Sequence, residues 1–378
     1  MRGQIKKAKR IIFKIGSSTL LDAEGRLDGP VLHQLAALWS LLHREGREIV
    51  IVTSGAIALG WPFLGLQAKP KSIPEQQAAA AIGQSMLMAM YASFFQSSHI
   101  AVGQILLTRD DIADRRRYLN ARNTLNVLLD KGIIPIINEN DTVAYEEIKF
   151  GENDTLAAMV AGLVNGDLVV LLSDIDGLYS NDPRKDPNAH LLSLVEEITP
   201  AIEALAGGSG SSMGSGGMKT KIEAAKIAGQ SGIPLIIAMG KDVEAINGIL
   251  AGEEKGTLFL AKDHALGHKK RWIAYGSSLE GAVTIDDGAK EALLFHGKSL
   301  LPVGAIAVEG AFGRGSVIAI KDKDGMEIAR GIVNYDAADI GRILGSHSDR
   351  LAEILGEEGD CFHEIVHRDN LVLQGNGG

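Results

Sequence analysis

Residues 10–54, RIIFKIGSSTLLDAEGRLDGPVLHQLAALWSLLHREGREIVIVTS, decide the fold of this chain. RIIFKI and EIVIVTS are short runs of β-branched and aromatic residues with polar groups at their ends, whereas VLHQLAALWSLLHREG spaces its apolar residues as a helix does and stops at Gly46. Strands that are apolar throughout are covered on both faces, and strands alternating with helices form a parallel sheet. Outward from this unit the alternation continues to about Leu250, with VGQILL, IIPIIN, LVVLLS and PLIIAM as further strands. EQQAAAAIGQSMLMAMYASFF, NTLNVLLDKG and DTLAAMVAGLVNG are the helices between them, the last expected to start on Asp154 as its cap. The expected class is α/β, a parallel-rich sheet sandwiched by helices. Such sheets bind ligands beyond the carboxyl ends of their strands.

The last hundred residues read differently. GAVTIDDGA, SLLPVGAIAVEG, GSVIAIKDKDG, EIARGIVNY and CFHEIVHRDNLVL are short β-like pieces with glycine turns, broken by two brief helices near Lys290 and Ile340. A chain of 378 residues is long enough for two domains. Charge supports the division: residues 279–378 carry 9 basic against 17 acidic side chains, while residues 1–278 are nearly balanced at 29 against 30. An acidic module is poorly suited to gripping a phosphate backbone, so a nucleic-acid partner is not expected. Cys361 is the single cysteine, which excludes an internal disulfide and fits a reducing compartment. MRGQIKKAKR is no signal peptide, and the apolar region Leu156 to Leu172 is interrupted by Asn165 and Asp167 and is too short for a bilayer. The expectation is a cytoplasmic protein without a membrane segment.

Polar residues collect where the strands end: Lys14 to Ser18, Thr53 to Gly55, Asn138 to Asp141, and Ser173 with Asp174. Any one group reads equally well as a turn or a cap; four together mark a rim where chemistry is expected. Lys14 stands out because a charge closing an apolar strand is costly unless it meets an anion or reaches solvent. Gly207 to Lys221 packs six glycines ahead of the helical run MKTKIEAAKIAG, with Lys219 and Lys221 supplying mobile charge. Backbone N–H groups freed by glycine and the positive end of a helix suit a phosphate. Neither a P-loop nor a GxGxxG frame fits this segment, and by itself it also reads as a flexible loop. The acidic excursion SDIDGLYSNDPR after LVVLLS can orient lysines or bind ribose hydroxyls, and its two aspartates at i, i+2 are not specific for a metal.

FKIGSS, IVTSGAIALG, NENDTV, GENDTLAA, LLSDIDGLYSNDPR and GSGGMKTKIEAA, in this order, resemble the glutamate-phosphorylating branch of the amino acid kinase family, and the trailing module resembles a PUA domain. The likeness runs from about Ile11 to Arg368. It implies a catalytic domain over residues 1–270, a PUA domain over 279–357 and a closing strand and tail over 358–378. It further implies that Lys14 contacts the ATP phosphates, that Lys221 stabilises the transferred phosphoryl group, and that Asp154 holds both lysines. Ser173, Asp174 and the loop Ser215, Gly216, Gly217, Met218, Lys219, Thr220 and Lys221 would bind the nucleotide, and Ser54, Asp141 and Asn153 would hold L-glutamate. Mg²⁺ would ride mainly on phosphates and water, so no protein metal site is expected. Proline as feedback inhibitor, a glutamate-5-phosphate reductase as partner and a homodimer or homotetramer belong to the same expectation. Kinases of acetylglutamate, aspartate and UMP share the phosphate cradle, but NENDTV and GENDTL with the C-terminal module favour free glutamate. PUA domains elsewhere bind RNA; the acidic balance of this one argues against that role.

Overall fold

β1 (Arg10–Ile15) lies inside an eight-stranded sheet of the computed structural model, between β2 (Glu48–Val52) and β5 (Leu168–Ser173), and is parallel to both. The structure describes residues 2–22, 24–143, 152–206, 217–261, 270, 273–274, 279–347, 350–355 and 362–374. The sheet continues through β4 (Ile134–Glu139) to β3 (Val102–Leu107) on one side and through β7 (Leu235–Met239) to β8 (Thr257–Phe259) and β6 (Leu194–Val195) on the other. The six strands legible in the sequence all run parallel; β8 pairs with β7 antiparallel and β6 follows β8, so the sheet is parallel-rich with a reversed edge. β6 and β8 are too short to show a hydrophobic period.

Burial on both faces explains the composition of the central strands: Ile11, Ile12, Phe13 and Ile15 are all inaccessible to solvent. The helix Gly29–Arg44 covers one face, opened by the Asp28 carboxylate accepting from the Val31 N–H at 3.4 Å and by Pro30 in the first turn. Its Leu32, Leu35, Trp39 and Leu42 recur at helical spacing and face inward, with the Trp39 ring 5.7 Å from that of Phe13. Gly46, at φ +83°, ends the run in the left-handed region where glycine is favoured.

The helix Ile73–Gln96 is long and apolar enough by length and composition to cross a bilayer. Its core-facing residues Ala79, Ala80, Leu87, Tyr91 and Phe95 are buried in this unit, as in a core helix. At its middle it meets the short helix Ala56–Gly60 backbone to backbone: a Cβ on Gly83 would fall 1.8 Å from the Ala56 carbonyl oxygen, and one on Gly60 1.9 Å from that of Ala79. This contact fixes the segment that leaves the end of β2. The helix expected to begin on Asp154 begins at Glu152 instead, so Asp154 stands within the first turn with its carboxylate engaged elsewhere.

The chain divides into two compact units, residues 1–111 with 116–265, and residues 266–378 with 112–115. The second has a five-stranded sheet, β10 (Ala305–Gly310), β9 (Gly281–Ile285), β11 (Val317–Lys321), β12 (Glu327–Ile332) and β13 (Leu371–Leu373), in that order. Its two expected helices are Asp287–His296 and Ala337–Ile343, capped by Asp286 and Asp336, and a third, Leu351–Leu355, was not legible. Within CFHEIVHRDNLVL, among the described residues 362–373, only Leu371–Leu373 is a strand, antiparallel to β12, and Val366 bridges Leu300.

Candidate active site

Asp154 is the centre of the rim. Its carboxylate is inaccessible to solvent, with Lys14 Nζ 2.7 Å from Oδ1 and Lys221 Nζ 3.1 Å from Oδ2. Lys14 comes from the end of β1 and Lys221 from the first turn of the helix Met218–Gln230, so three separate elements converge. The Thr220 hydroxyl lies 3.1 Å from the same Oδ2 and 2.8 Å from the Gly217 carbonyl. Burial by itself would push the Asp154 carboxyl up; the two ammonium groups outweigh it and hold the carboxyl below its ordinary range. Two lysines against one carboxylate leave a net positive charge in a dry setting, and both lysines are themselves buried. The helix Met218–Gln230 adds an opening turn with no side-chain cap, its N–H groups directed toward the same end.

Asn153 carries a different chemistry one residue away. Its Nδ2 donates toward the Thr53 carbonyl at 2.7 Å, Ser54 Oγ at 2.9 Å and Asn138 Oδ1 at 3.0 Å. Asn138 Nδ2 in turn donates to Gln84 Oε1 at 2.9 Å, and Asn138 Oδ1 also accepts from the Glu139 N–H at 2.9 Å. Thr53 Oγ1 and the Tyr91 hydroxyl lie 2.8 Å apart. The ends of β2 and β4 and the start of the helix Glu152–Val164 are thus joined by a neutral network, backed by Gln84 and Tyr91 of the long helix.

Residues 9–239 match the amino acid kinase family, and residues 281–355 match the PUA domain. The chain belongs to the amino acid kinase family. Among its relatives are the glutamate 5-kinases of Moorella thermoacetica, 49% identical over 98% of each chain, of Geobacter metallireducens, 51% identical over 98% of each, and of Carboxydothermus hydrogenoformans, 50% identical over 99% of this chain and 100% of that one. As a member of the amino acid kinase family the chain is a phosphotransferase that uses ATP.

Within this amino acid kinase the structure brings together Lys14, Asp154, Lys221 and Thr220 on one side and Ser54 and Asn153 on the other. Ser173 ends β5, buried, with Oγ 3.1 Å from Asp174 Oδ1, and its carbonyl accepts from the Gly240 N–H at 2.7 Å. Asp174 and Lys219 are exposed, and Gly217 and Met218 are half-buried at the start of their helix. Asp141 stands two residues beyond the end of β4, half-buried. Ser215 and Gly216 lie outside the described residues. Thr53 and Asn138 stood on the expected rim without a role of their own, and Gln84 and Tyr91 were not picked out from the sequence. Asn138 offered a signal, a polar residue inside the strand run IIPIIN. Gln84 offered none, since a glutamine in an alanine-rich helix reads as a solvated face.

Proposed function

We propose that this kinase transfers the γ-phosphoryl group of ATP to the γ-carboxylate of L-glutamate, giving L-glutamyl 5-phosphate, the first step of proline biosynthesis. The observation that carries the reading is the adjacency of Asp154 and Asn153, which puts a pair of buried lysines next to a neutral cluster of amides and a hydroxyl. A carboxylate acceptor is already ionised at neutral pH, with a pKa of about 4.3, so the attacking oxygen needs no general base. The obstacle is the approach of two anions, and the chain answers it with charge. In this reading Lys14 contacts the phosphates of ATP, and Lys221 neutralises the phosphoryl group as it passes. One carboxylate oxygen bonds to the γ-phosphorus, the bond to the β–γ bridging oxygen breaks, and ADP leaves as the anion. Asp154 takes no part in bonding and fixes where the two ammonium groups stand.

Ser173, Asp174 and residues 215–221 bind the nucleotide, and Ser54, Asp141 and Asn153 bind glutamate. Among the described residues no three His, Cys, Asp or Glu side chains are gathered as metal ligands. Mg²⁺ would be held mainly through the phosphates of ATP and water, and would supply further neutralisation of the charge that Lys14 and Lys221 face. Residues 1–270 then form the catalytic domain, 279–357 the PUA domain and 358–378 its closing segment. A cytoplasmic homodimer or homotetramer inhibited by proline and supplying an acyl phosphate to glutamate-5-phosphate reductase completes the reading.

The test is turnover of Mg·ATP with L-glutamate, trapping the product as its hydroxamate, beside aspartate, N-acetylglutamate and UMP. Glutamate-dependent hydroxamate is the expected result. Turnover only with another acceptor would overturn the assignment of Ser54, Asp141 and Asn153 while leaving the lysines in place.

A further inference from the structure

The neutral network has a direction, and its ends are backbone groups that cannot be reversed. The Glu139 N–H can only donate, so Asn138 must turn Oδ1 toward it and Nδ2 toward Gln84. The Thr53 carbonyl can only accept, so Asn153 must turn Nδ2 toward it, where Asn138 Oδ1 and Ser54 Oγ also draw on the two protons of that nitrogen. The protons of Asn153 are spent inside the protein. Its Oδ1 is the group left over, buried and without a hydrogen-bond partner among the described residues. A buried carbonyl oxygen in that state calls for a donor.

We propose that Gln84 is a positioning residue for acceptor selection: by taking the outward proton of Asn138 it holds Asn138 and Asn153 so that Asn153 offers a carbonyl oxygen to the ammonium group of the acceptor. The inference rests on the glutamate reading above. Gln84 is itself buried, and only its Oε1 is used; its Nε2 has no partner among the described residues. A side chain kept for packing alone would not be a glutamine in this place. The long helix supports both arms of the network, since Tyr91, two turns beyond Gln84, meets Thr53, whose carbonyl holds Asn153. Without an acceptor at position 84, the Nδ2 group of Asn138 is stranded in a dry site and Asn138 shifts to recover a partner, so that Asn153 loses its bond to Asn138 Oδ1, keeps only those to Thr53 and Ser54, and is held less firmly.

Glutarate, which is glutamate without its ammonium group, is the discriminating probe. The quantity to measure is the ratio of kcat/KM for L-glutamate to that for glutarate, read as hydroxamate, in the full-length wild type and in Gln84→Met, Gln84→Glu and Asn138→Ala. The wild type should prefer glutamate. Gln84→Met removes the acceptor at nearly constant volume and should lower the ratio by about tenfold or more, the worth of one hydrogen bond to a charged group, with KM for ATP unchanged. Gln84→Glu keeps an oxygen at the position of Oε1 and should retain the ratio, whereas Asn138→Ala, entering from the other side, should lose it as Gln84→Met does. A purely structural role would depress both acceptors alike and leave the ratio intact. The inference is overturned by a ratio within about twofold of wild type in Gln84→Met and Asn138→Ala, by Gln84→Glu falling as far as Gln84→Met, or by a wild type that turns over both acceptors equally. A wild type with no glutamate turnover would overturn the glutamate reading itself.

Discussion

Neighbouring residues of one helix turn serve two chemically opposite neighbourhoods. Asp154 sits among full charges, with two ammonium groups within 3.1 Å of its oxygens. Asn153 sits among dipoles, with a carbonyl, a hydroxyl and a second amide at 2.7–3.0 Å. The charged side is strong and undirected: a lysine attracts any phosphate oxygen within reach. The neutral side is weaker but directional, since amides distinguish donors from acceptors. Phosphoryl transfer needs bulk neutralisation on the side of the leaving nucleotide and discrimination among acceptors on the other. In the proposed reaction the helix start at Glu152 is where the two demands would meet.

Removing Asp154 breaks the charged side most severely. Asp154→Ala leaves two buried ammonium groups facing each other, and loss of one member of a buried ionic cluster costs about 3–5 kcal/mol. A marked drop in melting temperature is expected together with loss of turnover for every acceptor, both checked on the same preparation. Lys221→Ala should be less harmful to the fold, because Lys14 and Asp154 then form a simple pair. Its expected effect is a fall in kcat of about 10²–10³, typical of deleting one group that stabilises transition-state charge, with KM for glutamate little changed. An unchanged kcat would remove Lys221 from the chemical step.

The charged side was the more legible in sequence. Lys14 announces itself as a charge closing an apolar strand, and Lys221 follows a glycine-rich segment at a helix start. Asp154 was ambiguous, since an aspartate ahead of an apolar run reads first as a cap; its partners lie 67 and 140 residues away and only folding reveals them. The neutral side was half hidden. Ser54 and Asn153 follow from the family's motifs, but Gln84 gives no sequence signal and meets Asn138 only in the folded chain, beside Gly83, where the helix Ala56–Gly60 approaches. The central parallel strands were legible because both faces are buried, and β3, half-buried at the sheet edge, by its apolar run alone; β6 and β8 escaped because pairing with neighbours, not their own pattern, makes them strands.

Gly83→Ala tests whether the neutral side depends on that approach. The new methyl would fall 1.8 Å from the Ala56 carbonyl oxygen, against backbone that cannot rotate away. Overpacking of this kind costs about 1–3 kcal/mol, and the strain falls on the segment that follows Ser54. KM for glutamate should rise several-fold while KM for ATP stays near wild type. An equal rise in both would mean that the two sides are not mechanically separate.

Acid titration gives the smallest effect and separates the two sides by their chemistry. The Asp154 carboxyl is depressed in the folded chain because the attraction of Lys14 and Lys221 overcomes the opposing effect of burial. A depressed carboxyl contributes stability that is fully present above its unfolded pKa of about 3.9 and is lost as pH falls through the lower folded value. The loss attributable to this one proton is at most about 1.4 kcal/mol per pH unit. Denaturant unfolding of the wild type below about pH 4 should therefore show a component of acid sensitivity that is missing from Asp154→Asn, whose amide cannot titrate. Asn153, Asn138 and Gln84 carry no titratable group, so Gln84→Met should keep the wild-type slope over the same range. A Gln84→Met slope that matched Asp154→Asn would mean that the amide network helps to set the charge state of Asp154, and the division between the two neighbours would no longer hold.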